Sequence, residues 1–143
     1  HYSKSFKWGM VRTLTQAQEQ KLSPTKIVTN NLKKNQRLLP KGPFKTAIGT
    51  GGNLDAMAKL KLVTLKKGPN TLITIDELEK MYTLFCKTPQ PKRAATFGLK
   101  PDRVDVIEPA MFLTLTLMNK YEIKKLKIPG TGLKEGAILY ELN

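Results

Sequence analysis

One cysteine and one histidine in 143 residues leave this chain with almost no thiol or imidazole chemistry. Cys86 alone cannot form an internal disulfide, and with only His1 beside it there is no set of residues at metal-ligand spacing. A reducing, cytoplasmic setting is therefore expected. Long hydrophobic runs are missing as well: none approaches the roughly 20 residues needed to cross a bilayer. The opening His1-Tyr2-Ser3-Lys4 does not lead into a signal-peptide core, so a soluble protein is expected. Aromatic residues are few, and apart from Phe6 and Trp8 none is interleaved with the lysines as base stacking requires.

Negative charge is the other scarcity. The 11 acidic residues against 25 basic ones give a net charge of +14, which favours anionic partners: polyphosphate, nucleotide, nucleic acid or an anionic membrane surface. The length fits one domain with a core of its own and is short for a two-domain enzyme. The lack of an initiating Met and the abrupt opening suggest a chain that begins inside a longer one, although processing produces the same appearance.

What is present reads as an α/β pattern. Ser5 to Arg12 alternates apolar and polar residues and is expected to be a strand. Thr13 to Leu39 is polar, with Ile27, Val28, Leu32 and Leu38 at sparse helical spacing, and is expected to form a helix broken or preceded by a turn at Pro24. After the turn Pro40-Lys41-Gly42-Pro43, Phe44 to Ile48 reads as a short strand, Gly49 to Asn53 as a glycine loop and Leu54 to Leu60 as a helix. Leu62–Leu65 and Thr71–Ile73 are expected to form a hairpin about the turn Lys66 to Asn70. Thr74 and Glu77 have capping-box spacing, and Leu78, Met81, Tyr82 and Phe85 then share one helical face. A connector from Thr88 to Lys100 leads to a long helix, Val104 to Tyr121, apolar nearly all round and so expected at the centre of the core. Lys124 to Ile128 is a last strand, and a terminal helix runs through Leu139.

Chemistry concentrates in three places. In Gly49-Thr50-Gly51-Gly52-Asn53, glycines allow close backbone approach, and the amides at the following helix start point at an anion, with Thr50 and Asn53 as further donors. The loop lacks the Lys of a nucleotide-binding P-loop and the dinucleotide spacing, and a tight strand-to-helix turn needing glycine explains it equally well. Asp102-Arg103-Val104-Asp105 sits at a helix start. Asp102 is placed to cap, Asp105 to favour the dipole, and Arg103 to pair with either carboxylate or to reach a phosphate, the structural role being the commoner one. Gly130 to Gly136 opens another helix, where Glu135 reads as a solvated residue before it reads as an acid or base. The dispersed lysine pairs read as a solvated surface, Cys86 reads as a core residue, and no catalytic triad is found.

These motifs, in order, resemble one family. Gly9-Met10-Val11-Arg12 is similar to the G-A-V-R strand of the exopolyphosphatase and guanosine-pentaphosphate phosphatase family, Ala47 to Leu54 to its G-T-G-G-T segment, and Leu99 to Ala110 with Ile128 to Gly136 to its R-A-D-V-I helix start and closing G-L-R-E-G. Asn53, where Thr or Ser is commoner, and the lysine-rich stretch around Gly68 depart from the pattern. The resemblance implies half of a ribonuclease H-like, actin-like ATPase superfold, a mixed sheet with flanking helices, with residues 1–143 as one domain corresponding to most of the second domain of a two-domain phosphatase. It implies hydrolysis of a terminal phosphoanhydride of inorganic polyphosphate or guanosine pentaphosphate, with Mg2+ neutralising phosphate charge. The catalytic glutamate and the acidic phosphate loop belong to the missing first domain, and the D-I-G-G-G-S-type loop precedes the G-A-V-R strand. No catalytic residue and no metal ligand is therefore expected here. The residues carried over as phosphate-binding are Gly49, Thr50, Gly51, Gly52 and Asn53, with Arg103. A homodimer is compatible with this reading. Two alternatives stand beside it: a non-catalytic basic module for polyanions or nucleic acid, which needs its lysines on one face, and half of an acetate- or sugar-kinase-like phosphotransferase.

Overall fold

A computed structural model describes residues 1–68 and 71–141. Along the chain come α1 (Met10–Gln20), α2 (Pro24–Lys34), a 3-10 turn (Gln36–Leu38), β1 (Thr46–Ile48), α3 (Gly52–Leu65), β2 (Leu72–Thr74), α4 (Ile75–Lys87), α5 (Gln90–Phe97), α6 (Pro101–Lys120), β3 (Lys125–Lys127) and α7 (Leu133–Glu141). The sheet is mixed, in the order β1-β3-β2. β1 runs parallel to β3, with Ala47 opposite Leu126, and β2 runs antiparallel to it, with Ile73 opposite Leu126. Strand alternation puts Ile73 and Leu126 into the core and leaves Thr46, Ile48, Lys125 and Lys127 exposed on the opposite face.

The long apolar segment is central, as its composition requires. Helix α6 packs against α1, α2, α3, α4 and α5, burying Val104, Ile107, Ala110, Met111, Leu115 and Met118. Burying one such side chain completely contributes about 1.5–3 kcal/mol. Pro101 at its start needs no hydrogen-bond donor there. Helix α4 opens on the expected capping box: Thr74 Oγ1 accepts from the Glu77 amide, and Glu77 accepts from the Thr74 amide. Its Leu78, Met81 and Phe85 are fully buried.

Four expectations are corrected. Residues 5–12 are not a strand: α1 begins at Met10, and residues before it have no regular structure. Met10, Thr13 and Ala17 are the buried positions, which is a helical period, and the helix satisfies its backbone groups within itself. Leu62 to Leu65 is the last turn of α3, which stops at Lys66 in the left-handed conformation. A short apolar run does not separate helix from strand by period alone. There is consequently no hairpin, and β2 pairs with β3, far along the chain; of the expected turn, Pro69 and Asn70 lie outside the described residues. The connector after Thr88 contains α5, because proline is tolerated in a first helical turn and Gly98 ends it in the left-handed region. Phe97 from α5 is buried against Phe85, their rings 5.0 Å apart. Cys86 is not a core residue but exposed, on the solvent side of α4.

Candidate anion-binding site

The loop between β1 and α3 is built by its glycines. The Gly49 amide donates to Lys127 O at 2.8 Å, closing the end of the β1–β3 ladder, and a Cβ there would stand 2.9 Å from Leu54 Cγ. Gly51 has φ +99° and ψ 164°, a conformation open essentially to glycine alone. Its carbonyl accepts from Leu54 N at 2.9 Å and Asp55 N at 3.1 Å, starting the helix. The amides of Gly52 and Asn53 have no acceptor among the described residues. They carry the partial positive charge of a 14-residue helix outward.

The tertiary fold adds Arg103 to this loop from the first turn of α6. A Cβ at Gly52 would lie 3.2 Å from Arg103 Nη1, so the guanidinium lies directly over that glycine, and Nη1 is 3.5 Å from Asn53 Oδ1. Asp102 does not cap α6; its carboxylate stands 3.6 Å from Arg103 Nε, in a pair open to solvent. Asp105 is drawn elsewhere, accepting from Gln90 Nε2 at 3.2 Å. Thr50 is exposed and makes no hydrogen bond among the described residues. Of the six expected residues the structure thus brings together Gly52, Asn53 and Arg103, with Gly49 and Gly51 shaping the turn and Thr50 at its edge. Two exposed amides, one guanidinium and one carboxamide around a glycine suit an oxyanion.

A second glycine loop follows β3 at the same, carboxyl, end of the parallel strand pair, because β1 and β3 run together. It is already filled from within: Glu135 Oε2 accepts from the Gly132 amide at 2.7 Å. Glu135 therefore caps α7, and the β1–α3 loop is the open one of the two.

The remaining ionisable contacts are structural. Lys61, 3 % exposed, donates to Leu72 O at 2.7 Å and pairs with Glu77 Oε2 at 3.0 Å. Burial pushes the Glu77 carboxyl up, but the Thr74 amide and the Lys61 ammonium outweigh it and hold the group below its ordinary value. Arg93 joins Glu108 at 2.7 Å, donates to Thr88 O and lies over the Phe85 ring. Burial pushes the Tyr82 and Tyr121 phenols up. Among the described residues no group of three His, Cys, Asp or Glu side chains is placed to hold a metal, and no helix is long and apolar enough to cross a membrane.

The sequence model of the Ppx/GppA phosphatase family matches residues 4–143. Among solved structures, the chain is similar to the type II variant of the Aquifex aeolicus Ppx/GppA phosphatase, with 20 % identity, TM-score 0.78, all of this chain covered and 50 % of the other. A second structure of the Aquifex aeolicus family member aligns with 23 % identity and TM-score 0.68 over 83 % of this chain and 40 % of that one. An exopolyphosphatase from Cytophaga hutchinsonii aligns at 16 % identity and TM-score 0.60, covering 99 % and 43 %. No curated protein matches. The chain spans about half the length of these solved structures, and at such identities they establish the fold: α/β, of the actin-like ATPase type.

Proposed function

The chain belongs to the Ppx/GppA phosphatase family, and from that premise we propose that it is most of the second domain of a phosphoanhydride hydrolase and contributes phosphate contacts to a site completed elsewhere. The observation that carries the reading is Arg103. The fold brings it fifty positions along the chain to stand over Gly52 beside Asn53, at the open N-terminus of α3. Its fixed fork and the two free amides match the oxygens of a terminal phosphate. The net charge of +14 suits a long polyanion.

The substrates proposed are inorganic polyphosphate or guanosine pentaphosphate. The carboxylate that activates water comes from outside this chain. Mg2+ belongs to the same proposal: held outside this chain, it would neutralise charge on the phosphates. What these residues do is orient the phosphate and stabilise charge on its oxygens, which are electrostatic tasks. We assign the protein to the cytoplasm on the same reading.

The test is phosphate release from polyphosphate with magnesium, run on this chain alone and on the same chain supplemented with a complete first half of the family fold. Release is expected only from the supplemented protein. Arg103→Gln should weaken tripolyphosphate binding about 10- to 100-fold, the worth of one charged hydrogen-bond set. Release by the chain alone, or unchanged binding by the variant, would overturn the reading.

A further inference from the structure

We propose that the N-terminal segment, residues 4–8, forms with α1 and α2 a binding site for single-stranded nucleic acid. A base stacks on the Phe6–Trp8 pair, and its flanking phosphates meet Lys4, Lys7 and Lys34. The proposal goes beyond the phosphate-hydrolase reading and does not depend on it.

The segment is held at its two ends rather than by its rings. At one end the Tyr2 hydroxyl donates to the Leu38 carbonyl. At the other the Gly9 carbonyl accepts from the Thr13 amide at 2.9 Å, and Met10 is buried. Between them a bend at Lys7 folds Phe6 and Trp8 together, with ring centroids 4.3 Å and planes 20° apart. Neither ring belongs to the buried core, and each is only half-buried. A stacked pair at the surface is a platform on which a further planar ring can be laid, whatever the base.

The surroundings are cationic without exception. A pocket of about 300 Å³ beside the stack is lined by Lys4 and Lys7, by Gln16 of α1 and by Asn31 and Lys34 of α2. Asn31 and Lys34 are three positions apart and so share one helix face, and α2 packs against α1. A neighbouring pocket of about 680 Å³ shares Phe6 and Lys7 and adds Arg12. Neither lining contains a carboxylate. Lys4, Lys7, Arg12 and Lys34 form no ion pair among the described residues.

This combination selects the ligand. Inorganic polyphosphate or an anionic lipid surface satisfies the lysines but brings no ring to the stack. A duplex keeps its bases within its own stack. A single strand offers both, phosphates to the cations and bases to the rings, in the alternation in which Lys4, Phe6, Lys7 and Trp8 follow one another. The Gln16 and Asn31 carboxamides, each both donor and acceptor, suit the edge of such a base.

Trp8 is the one tryptophan of the chain, so its fluorescence reports on this site directly. The experiment titrates the 143-residue chain with oligo(U) and oligo(dT) decamers, an abasic decamer and long-chain inorganic polyphosphate. It reads Trp8 fluorescence, and the anisotropy of end-labelled strands at several salt concentrations. The base-bearing decamers are expected to quench Trp8 and to bind about tenfold or more tighter than the abasic strand, as one stacked base contributes. Polyphosphate and the abasic strand are expected to leave the fluorescence nearly unchanged. The tighter of oligo(U) and oligo(dT) identifies RNA or DNA as the source of the strand, and either supports the proposal. Trp8→Leu should lower decamer affinity to that of the abasic strand. Lys7→Gln with Lys34→Gln, both exposed, should make the log–log salt slope shallower by about 1.4, at about 0.7 per lost contact. Arg103→Gln, which weakens tripolyphosphate binding, should leave the quenching intact, so the two sites are read separately. Equal affinity for base-bearing and abasic strands without quenching overturns the proposal and leaves a generic polyanion patch. Unchanged decamer affinity in Trp8→Leu overturns it as well.

Discussion

Gly51 and Gly52 are neighbours with different constraints, and substitution separates them. At Gly51 the backbone itself is the constraint, so Gly51→Ala should cost about 1–3 kcal/mol of stability. At Gly52 the nearest atoms to an added methyl are those of the Arg103 guanidinium, the far end of a long side chain. Gly52→Ala should leave the melting temperature nearly unchanged while displacing the guanidinium, so that tripolyphosphate affinity falls. Paired thermal melts and binding titrations check both halves of this contrast. A second residue-scale prediction concerns Glu77. Its carboxyl is held below the ordinary value in the folded chain, so it contributes stability above the unfolded carboxylate range, and that contribution is lost as pH falls through its folded value. Lys61→Met removes one of the causes. The variant should be destabilised at neutral pH by about 1–3 kcal/mol, and denaturant melts should show a shallower acid limb than in the unaltered chain.

At the scale of elements, β1 is the sensitive part. It pairs with β3 on one side only, and no described strand covers its other edge. Since the Gly49 amide points to Lys127 O, alternation turns the Ile48 amide to the open edge. Its side chain is 73 % exposed as well. In the isolated chain the Ile48 amide should therefore exchange with solvent much faster than that of Gly49, measured by NMR hydrogen exchange, and it should become protected if a further strand is added at that edge. Legibility followed the strength of local signals. The Thr74–Glu77 capping box and the apolar run in α6 carry their own instructions, and both elements form where their residues place them. The start of α1 did not, because Phe6, Trp8 and Met10 alternate in sequence while the buried set of Met10, Thr13 and Ala17 follows a helical period. Phe6 and Trp8 do meet, as stacked rings 4.3 Å apart, but outside any strand. Helix α5 was hidden by its prolines, which mark a helix start as readily as a loop.

For the whole molecule, charge sets the behaviour. With 25 basic against 11 acidic residues, binding of any polyphosphate should weaken steeply as salt rises, and isothermal titrations at two ionic strengths suffice to measure it. A salt-independent affinity would mean that the lysines take no part. The candidate site was half legible. The Gly49–Asn53 loop announces itself by composition, and Arg103 was recognisable as a helix-start cation, but nothing local links two segments fifty positions apart.

Composition, the capping box and the ordered motifs were enough to determine an α/β chain of the Ppx/GppA phosphatase family with a basic surface, because these depend on residue type and short spacing alone. The tertiary structure decided the rest. It chose which glycine loop keeps its amides available, since Glu135 accepts from the one after β3 and no described residue accepts from the Gly52 and Asn53 amides of the one before α3. It set Arg103 over Gly52, and it stacked Phe6 on Trp8 beside Lys34. Proximity between distant residues is fixed by the packing of α6 against its neighbours, and no local pattern encodes it.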